Sequence, residues 1–528
     1  MLLTAALIQA LGDAGINAPL WCVTCDGVAV NGTDFEDLTQ AAIHGLGRVV
    51  TLEHPERWGG LVDLPSAIDD RVANGLTAVL SGLDGEDQVA VRSNGLFGRR
   101  LVAAPAAVPA QDWQPRGTVL ITGGTGALGG HVARMLAQNG AGHLVLVSRS
   151  GLNAPGAAEL RAELVGLGVD VTIAACDVAD RKSLQAVLST VPTPLTGVVH
   201  TAGIIDDGVL DKMTPERFEA VFRSKVTSAL LLDELTSDLD AFVLFSSASS
   251  SVGSPGQANY AAANAMLDAL AERRRGQGLA ATSIAWGAWG GGGMADTEDA
   301  LANAKRAGIG SMDPVLACAA LRQLVGEGLP TAIVAAVDKG RFSGGFRPNP
   351  LLRELAGDAP AEAPVAEGAF RDQLLALPAA KRFDQVLELV RTRAAEVLGQ
   401  ADVDAVRPDR PFRDLGFDSL AVVELRNQLN AATGLALAST LVFDHPSPEE
   451  LATHVLTELV PDAAADAALS EETEIRDLLA RVPLAQLREI GVLGPLLQLI
   501  GRGSAEVTED IDEMSVDDLI QAALDGQD

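Results

Sequence analysis

From Gly117 onward the sequence alternates short apolar runs with longer amphipathic ones: TVLIT, GGHVARMLAQNG, HLVLVS, AAELRAELVGLG, DVTIAAC, RKSLQAVLSTV and TGVVHTAG. An apolar run without polar alternation is a strand covered on both faces, and such strands separated by helices pack side by side in a parallel sheet. The pattern continues through PERFEAVFRSKVTSALLLDEL, AFVLFSS, NYAAANAMLDALAERRRGQG and TSIAW. It predicts a doubly wound α/β domain over residues 112–346, whose ligands belong at the carboxyl ends of its strands.

The first strand-to-helix turn reads Thr122-Gly123-Gly124-Thr125-Gly126-Ala127-Leu128-Gly129. Glycines there let backbone N–H groups approach a pyrophosphate at the positive end of the helix dipole. A glycine run alone is only a tight turn; between a buried strand and a helix it predicts dinucleotide binding. After the second strand the usual ribose-binding carboxylate is missing, and Ser148-Arg149-Ser150 stands in its place. An arginine there pairs with a 2′-phosphate, which selects NADPH over NADH. Asp177, followed by Val178, ends the third strand and either accepts a hydrogen bond from adenine or caps the next turn. His200, Thr201, Ala202 and Gly203, at the end of the fourth strand, complete the expected cofactor edge.

The remaining chain needs other domains, because 528 residues exceed one core at about 150 residues per domain. Residues 1–105 read as short helices and strands without a glycine-rich loop, so a sheet without a nucleotide is expected. A Pro/Ala/Glu-rich linker (347–380), a small helical domain (381–460), a second linker (461–472) and a helical segment (473–528) follow. No apolar run approaches the roughly 20 residues of a membrane helix. The opening MLLTAALIQALGDAG lacks the basic start of a signal peptide and reads as a helix ended by Gly15, which predicts a cytoplasmic protein. With 39 Lys+Arg against 70 Asp+Glu the formal charge is −31, which leaves nucleic-acid binding without a source of phosphate neutralisation. Cys22 and Cys25 form a CxxC in a strand-like run with no second ligand pair nearby, so no metal site is expected.

Tyr260 is the only tyrosine, and Ser247 precedes it by thirteen residues at the end of AFVLFSS. This spacing resembles the short-chain dehydrogenase/reductase superfamily. The resemblance implies that the serine hydrogen-bonds a substrate carbonyl while the phenol donates its proton as hydride arrives. A phenol titrates near 10 and needs a nearby cation to work at neutral pH. The family's common Y-x-x-x-K has Asn264 here in place of the lysine, and of six lysines only Lys225 lies on the helix between the fourth and fifth strands. Lysine on that helix with asparagine at Tyr+4 is the swapped arrangement seen in ketoreductases of modular polyketide synthases.

That resemblance covers the first 345 residues, with 1–105 as an N-terminally truncated structural subdomain and 112–346 as the catalytic one. The fold class implied is two Rossmann-like halves followed by an all-α carrier and a helical docking segment. Met1 opens directly on a helix where the family usually has an earlier strand, so the chain is expected to be a C-terminal piece of a longer synthase; no acyltransferase G-H-S-x-G or ketosynthase cysteine motif is present. Ile205-Asp206-Asp207 occupies the place of the Leu-Asp-Asp motif of ketoreductases that form a D-configured hydroxyl, departing only from Leu to Ile. Pro255 and Asn259 match the same class, and Val252 stands where the opposite class has tryptophan. Ala262 and Gln257 replace the proline and histidine of the epimerising classes.

Leu415-Gly416-Phe417-Asp418-Ser419-Leu420, with the later Leu441-Val442-Phe443-Asp444-His445-Pro446, resembles acyl carrier proteins, which implies 4′-phosphopantetheine on Ser419 and a phosphopantetheinyl transferase as partner. Nine acidic residues between 505 and 528, with Met514, Val516, Leu519, Ile520 and Leu524 at helical spacing, resemble a C-terminal docking domain. The resemblance implies a homodimer through 473–503, upstream ketosynthase and acyltransferase domains in the same synthase, and a partner helix on the next subunit facing Asp517 and Asp518. Two alternatives stand beside this one: an inactive reductase scaffold with a carrier and docking role, and a fatty-acid-type synthase.

Overall fold

The computed structural model describes residues 1–461 except 17, 31–36, 105–111, 192–193, 293–307, 338–349, 357–368, 399–402, 418, 436 and 438–440. The docking segment expected over 473–528 lies outside the described residues. The chain divides into two compact units, one of residues 1–364 with 396–401 and 416–427, the other of 365–395, 402–415 and 428 onward.

The first unit opens with α1 (Leu2–Asp13), β1 (Leu20–Cys25), α2 (Leu38–Glu53), β2 (Trp58–Leu64), α3 (Asp70–Leu80), β3 (Gln88–Arg92) and β4 (Gly95–Gly98). β1, β2 and β3 are parallel, and β4 turns back antiparallel on β3. The two helices cover opposite faces: Leu61 packs with Leu46, Val49 and Val50 of α2, whereas Val62 and Leu64 pack with Val72 and Val79 of α3. Where a nucleotide would lie in such a half, the fully buried Asp63 accepts hydrogen bonds from the Thr24 hydroxyl (2.6 Å), the Gly27 N–H (2.8 Å) and Arg92 (2.7 Å). Strand β4 pairs with β3 through a two-residue turn, Ser93-Asn94, between the paired Arg92 and Gly95.

The catalytic half runs through β5 (Thr118–Thr122), α4 (Ala127–Gln138), β6 (His143–Ser148), α5 (Ala157–Gly166), β7 (Asp170–Ala175), α6 (Arg181–Thr190) and β8 (Leu195–His200). It continues with α7 (Pro215–Phe222), α8 (Ser228–Leu235), β9 (Ala241–Ser247), α9 (Ser249–Val252), α10 (Ala258–Gly276), β10 (Thr282–Trp286), β11 (Ile309–Gly310), α11 (Pro314–Glu327), β12 (Thr331–Val334) and β13 (Ala336–Val337). Seven parallel strands lie in the order β12-β10-β9-β8-β5-β6-β7. The order reverses between β5 and β8, so the ligand crevice opens there. Thr122 and His200 end those strands and pair in register.

Helix α2 packs against α10, and that contact brings the first sheet to the active site. A Cβ on Gly45 would stand 2.4 Å from the Ala261 carbonyl oxygen and 2.8 Å from the Ala262 Cα, so the two backbones touch. Glycine inside a helix costs roughly 0.5–1 kcal/mol. The burial of Leu46, Val49 and Val50 returns about 1.5–3 kcal/mol per side chain and decides the matter.

In the second unit, Val386 and Val390 of helix Ala379–Val397, and Leu451 and Val455 of helix Pro448–Leu459, are buried at i, i+4 spacing. Ser447 caps the latter by accepting the Glu450 N–H. Helix Ala369–Leu375 lies inside the stretch expected to be an extended linker. Phe370 and Leu374, one turn apart, offer an apolar stripe, and Leu374 is buried. Among the described residues no helix is long and apolar enough to cross a membrane.

Candidate active site

Tyr260, Lys225 and Asn264 come together beside the carboxyl end of β9, the strand that Ser247 closes. Ser247 ends β9, where its hydroxyl oxygen accepts the Ser249 N–H (3.3 Å) and the Ser249 hydroxyl (3.1 Å). Tyr260 stands in the first turn of α10 and is buried. Lys225 lies on a π-helical turn, Arg223–Thr227, that interrupts the helix between β8 and β9. Such a turn inserts a residue and re-aims its side chains, which is why π turns gather at functional sites. The continuous helix read from the sequence is therefore split where the lysine stands.

Lys225 is only 3% exposed. It donates to the Phe245 carbonyl at 2.8 Å and stands 5.0 Å from the Tyr260 ring centroid. Burial pulls the lysine down to about 7, with the Asp268 carboxylate opposing it. Burial pushes the Tyr260 phenol up to about 12. The phenol therefore keeps its proton at neutral pH. Asn264 donates from Nδ2 to the Tyr260 carbonyl (2.9 Å), while its buried Oδ1 has no hydrogen-bond partner among the described residues.

His200 is fully buried between this group and the glycine turn. Its Nε2 lies 3.0 Å from the Lys225 carbonyl, which can only accept, so Nε2 carries the proton. Nδ1 is then left to accept the Thr122 hydroxyl at 2.7 Å. Burial holds the imidazole neutral, down to about 3. Both ring nitrogens are consumed inside the protein. The cofactor contact expected of His200 is thus not one its side chain can make; the ring braces β5 and β8 against the lysine turn.

The glycine turn is closely packed behind and open in front. Gly123 has φ 68°, and a Cβ there would stand 2.8 Å from the Thr201 hydroxyl. A Cβ on Gly129 would stand 2.3 Å from the Gly123 carbonyl oxygen, so the first turn of α4 presses directly onto the loop. Gly126 begins α4 with no side-chain cap, which leaves the helix N–H groups available to an anion. Thr125 donates to Ser148, whose oxygen also accepts the Gly151 N–H. Arg149 is exposed and has no ion-pair partner among the described residues. Asp177 is engaged on both oxygens, by Arg223 (2.7 Å) and by the Ala179 N–H (3.0 Å). The carboxylate caps the turn, each oxygen keeping a lone pair for a further donor, and Arg223 holds it below the usual carboxylate range.

The Ile205-Asp206-Asp207 loop faces the same cleft and is clasped to the start of α10. Gln257 donates to the Asp207 carboxylate (2.9 Å), and Asn259 donates to the Asp206 carbonyl (2.9 Å) while its Oδ1 accepts the Tyr260 N–H (2.7 Å). Arg217, which nothing in the sequence singled out, pairs with Asp206 at 2.7 Å. Partial burial and the neighbouring Asp206 raise the Asp207 carboxyl. In the carrier region Ser419 is the first residue of helix Ser419–Thr433. Among the described residues no group of His, Cys, Asp and Glu is placed to hold a metal ion.

Three family models match the chain: the KR domain over residues 117–291, the phosphopantetheine attachment site over 388–455, and the Rossmann fold domain of polyketide synthase extender module SpnB over 3–101. The chain is 47% identical to pikromycin polyketide synthase component PikAIII of Streptomyces venezuelae over 98% of its own length and 36% of that protein. It is 50% identical to polyketide synthase GfsA of Streptomyces halstedii over 87% of its length and 6% of that protein. The chain thus spans about a third or less of these relatives. A solved structure of A-type ketoreductases from a modular polyketide synthase is 51% identical, with a TM-score of 0.66, 67% of this chain and 78% of that chain covered. An A1-type ketoreductase structure, also 51% identical, has a TM-score of 0.65 with 67% and 76% covered.

Proposed function

The chain belongs to the ketoreductases of modular polyketide synthases and carries a phosphopantetheine-binding carrier domain; from that premise we propose that it reduces a β-ketoacyl thioester held on the Ser419 arm to a D-configured β-hydroxyacyl thioester. The observation that carries this reading is a buried, protonated Tyr260 with a buried Lys225 5.0 Å from its ring centroid, the lysine being anchored on the carboxyl end of the strand that Ser247 closes. NADPH supplies the hydride when bound. The N–H groups of the Thr122–Gly129 turn would hold its pyrophosphate, with Thr201, Ala202 and Gly203 lining the crevice and Arg149 at its 2′-phosphate. Ser247 donates a hydrogen bond to the substrate carbonyl, and Tyr260 gives its proton to the oxygen as charge develops there. The Lys225 ammonium, 5.0 Å from the ring centroid, stabilises the phenolate left behind by charge attraction in a buried setting. Asn264 Oδ1, buried and unsatisfied, is placed to accept a hydrogen bond as the proton is replaced.

The product's configuration tests the reading. Ile205-Asp206-Asp207 resembles the Leu-Asp-Asp motif of D-forming ketoreductases, and Ala262 and Gln257 differ from the epimerising classes, so a diketide thioester should yield the D-hydroxyl with no epimerisation of an α-substituent; an L-hydroxyl on chiral chromatography would refute it. A second experiment addresses the cofactor. Arg149→Ala should weaken NADPH on the order of tenfold or more and NADH little, because the guanidinium faces only the extra phosphate. Equal losses for both would place the phosphate site elsewhere.

The wider assembly forms part of the same proposal: a cytoplasmic homodimer in line with upstream ketosynthase and acyltransferase domains, loaded by a phosphopantetheinyl transferase. In this reading it passes its product to a downstream subunit through residues 473–528.

A further inference from the structure

Glu53 ends α2 in the first half of the chain, where a carboxylate sits against the negative end of the helix dipole and is disfavoured. It is also 2% exposed. A buried acidic group in that position needs donors, and the structure supplies them from far away in sequence. Oε2 accepts the Leu210 N–H at 2.6 Å and Oε1 accepts the Gly256 N–H at 2.7 Å. The Gly208 N–H in turn donates to the Gly256 carbonyl at 2.7 Å. Leu210 follows the Ile205-Asp206-Asp207 loop, and Gly256 precedes Gln257, Asn259 and Tyr260. One carboxylate therefore joins, from behind, the two loops that Gln257 and Asn259 clasp from the cleft side.

Neighbouring residues of the first half hold the same loop. Gln9 donates from Nε2 to the carbonyls of Leu210 (2.7 Å) and Met213 (2.9 Å), and His54 Nε2 lies 3.2 Å from the Asp211 carboxylate. The first sheet fills its own nucleotide position with Asp63, Thr24 and Arg92. Its contribution lies instead in the struts it sends to the substrate cleft.

We propose that Glu53 is a positioning residue that sets the separation of the 205–211 and 253–257 loops, and so determines which face of the bound ketone meets the hydride. This rests on the ketoreductase reading above. Gln is nearly isosteric with Glu but offers one acceptor and one donor, so Glu53→Gln sets an N–H against an N–H at either Leu210 or Gly256. Losing one hydrogen bond to a buried charged group should raise KM for a diketide thioester, and the share of the minor hydroxyl isomer, on the order of tenfold each. kcat should stay within about threefold and NADPH affinity within about twofold, because no group touching the reacting atoms changes.

The test uses the full chain and compares wild type, Glu53→Gln and Gln9→Leu. Gln9→Leu frees the same loop from a different strut and should shift KM and isomer ratio in the same direction by less. Hydrogen exchange at the Leu210 and Gly256 amides reads the bridge without reference to turnover, and both should exchange faster in Glu53→Gln. Unchanged KM, isomer ratio and exchange in a folded Glu53→Gln protein would overturn the proposal. So would an unfolded Glu53→Gln protein accompanied by a Gln9→Leu variant with wild-type KM and isomer ratio. If wild type reduces no ketone, the ketoreductase reading falls, while amide exchange still decides whether Glu53 holds the two loops.

Discussion

Tyr260→Phe should abolish reduction of a diketide thioester while leaving NADPH affinity where it was. The substitution removes one hydroxyl and its proton from a buried ring. General acid catalysis of this kind contributes about 100- to 10,000-fold, so turnover should fall by at least that factor. Among the described residues the neighbouring imidazole and ammonium are poor substitutes. The chain has no second tyrosine, His200 is held neutral with both ring nitrogens occupied, and Lys225 already donates to the Phe245 carbonyl. The ring's packing against Lys225 survives in phenylalanine, so thermal stability should change little. Stopped-flow or steady-state oxidation of NADPH measures the loss, and fluorescence titration measures the retained affinity. Turnover comparable to wild type in the variant would end the assignment of Tyr260 as proton donor.

Ser419→Ala should eliminate phosphopantetheine loading outright. The transferase needs a hydroxyl oxygen to form the phosphodiester, and alanine has none. Helix Ser419–Thr433 should persist, since alanine is the best helix former. Intact-protein mass spectrometry after incubation with coenzyme A and a phosphopantetheinyl transferase reads the result directly. The wild-type chain should gain the mass of the arm and the variant should not, while circular dichroism stays the same. A retained mass gain would move the attachment point to another serine. Reduction of a free diketide thioester should be untouched in the same protein, whereas reduction of a carrier-bound chain should vanish. A tethered substrate reaches an active site at high effective concentration, and that advantage is lost with the arm.

The architecture was legible in the sequence to the extent that it is written locally. Unbroken apolar runs such as TVLIT and AFVLFSS announce strands covered on both faces. The glycines after Thr122 announce a backbone approach, and the interval from Ser247 to Tyr260 carries the resemblance to short-chain dehydrogenases and reductases. Each of these signals fits within a window of a few to a couple of dozen residues, where helix and strand periods act. Strand β12, only four residues long, and helix α11 went unread because they lie after a glycine-rich stretch that breaks the periodicity. The helix at 369–375 was hidden by the Pro/Ala/Glu bias of its surroundings.

By itself the sequence determined the parallel sheet, the position of the glycine turn, the identity of the only possible phenol and the serine at the start of a carrier helix. Only the tertiary structure decided how those parts are held. A π turn aims Lys225 at Tyr260, His200 spends both nitrogens as a brace, and Asp177 is claimed by Arg223. Glu53 reaches loops 157 and 203 residues away. The physical reason is that a buried polar group must find its partner wherever packing puts one. Periodicity tells which face of α2 is covered, but which N–H groups meet the end of that helix depends on how α2 docks against α10, and no local pattern encodes that meeting.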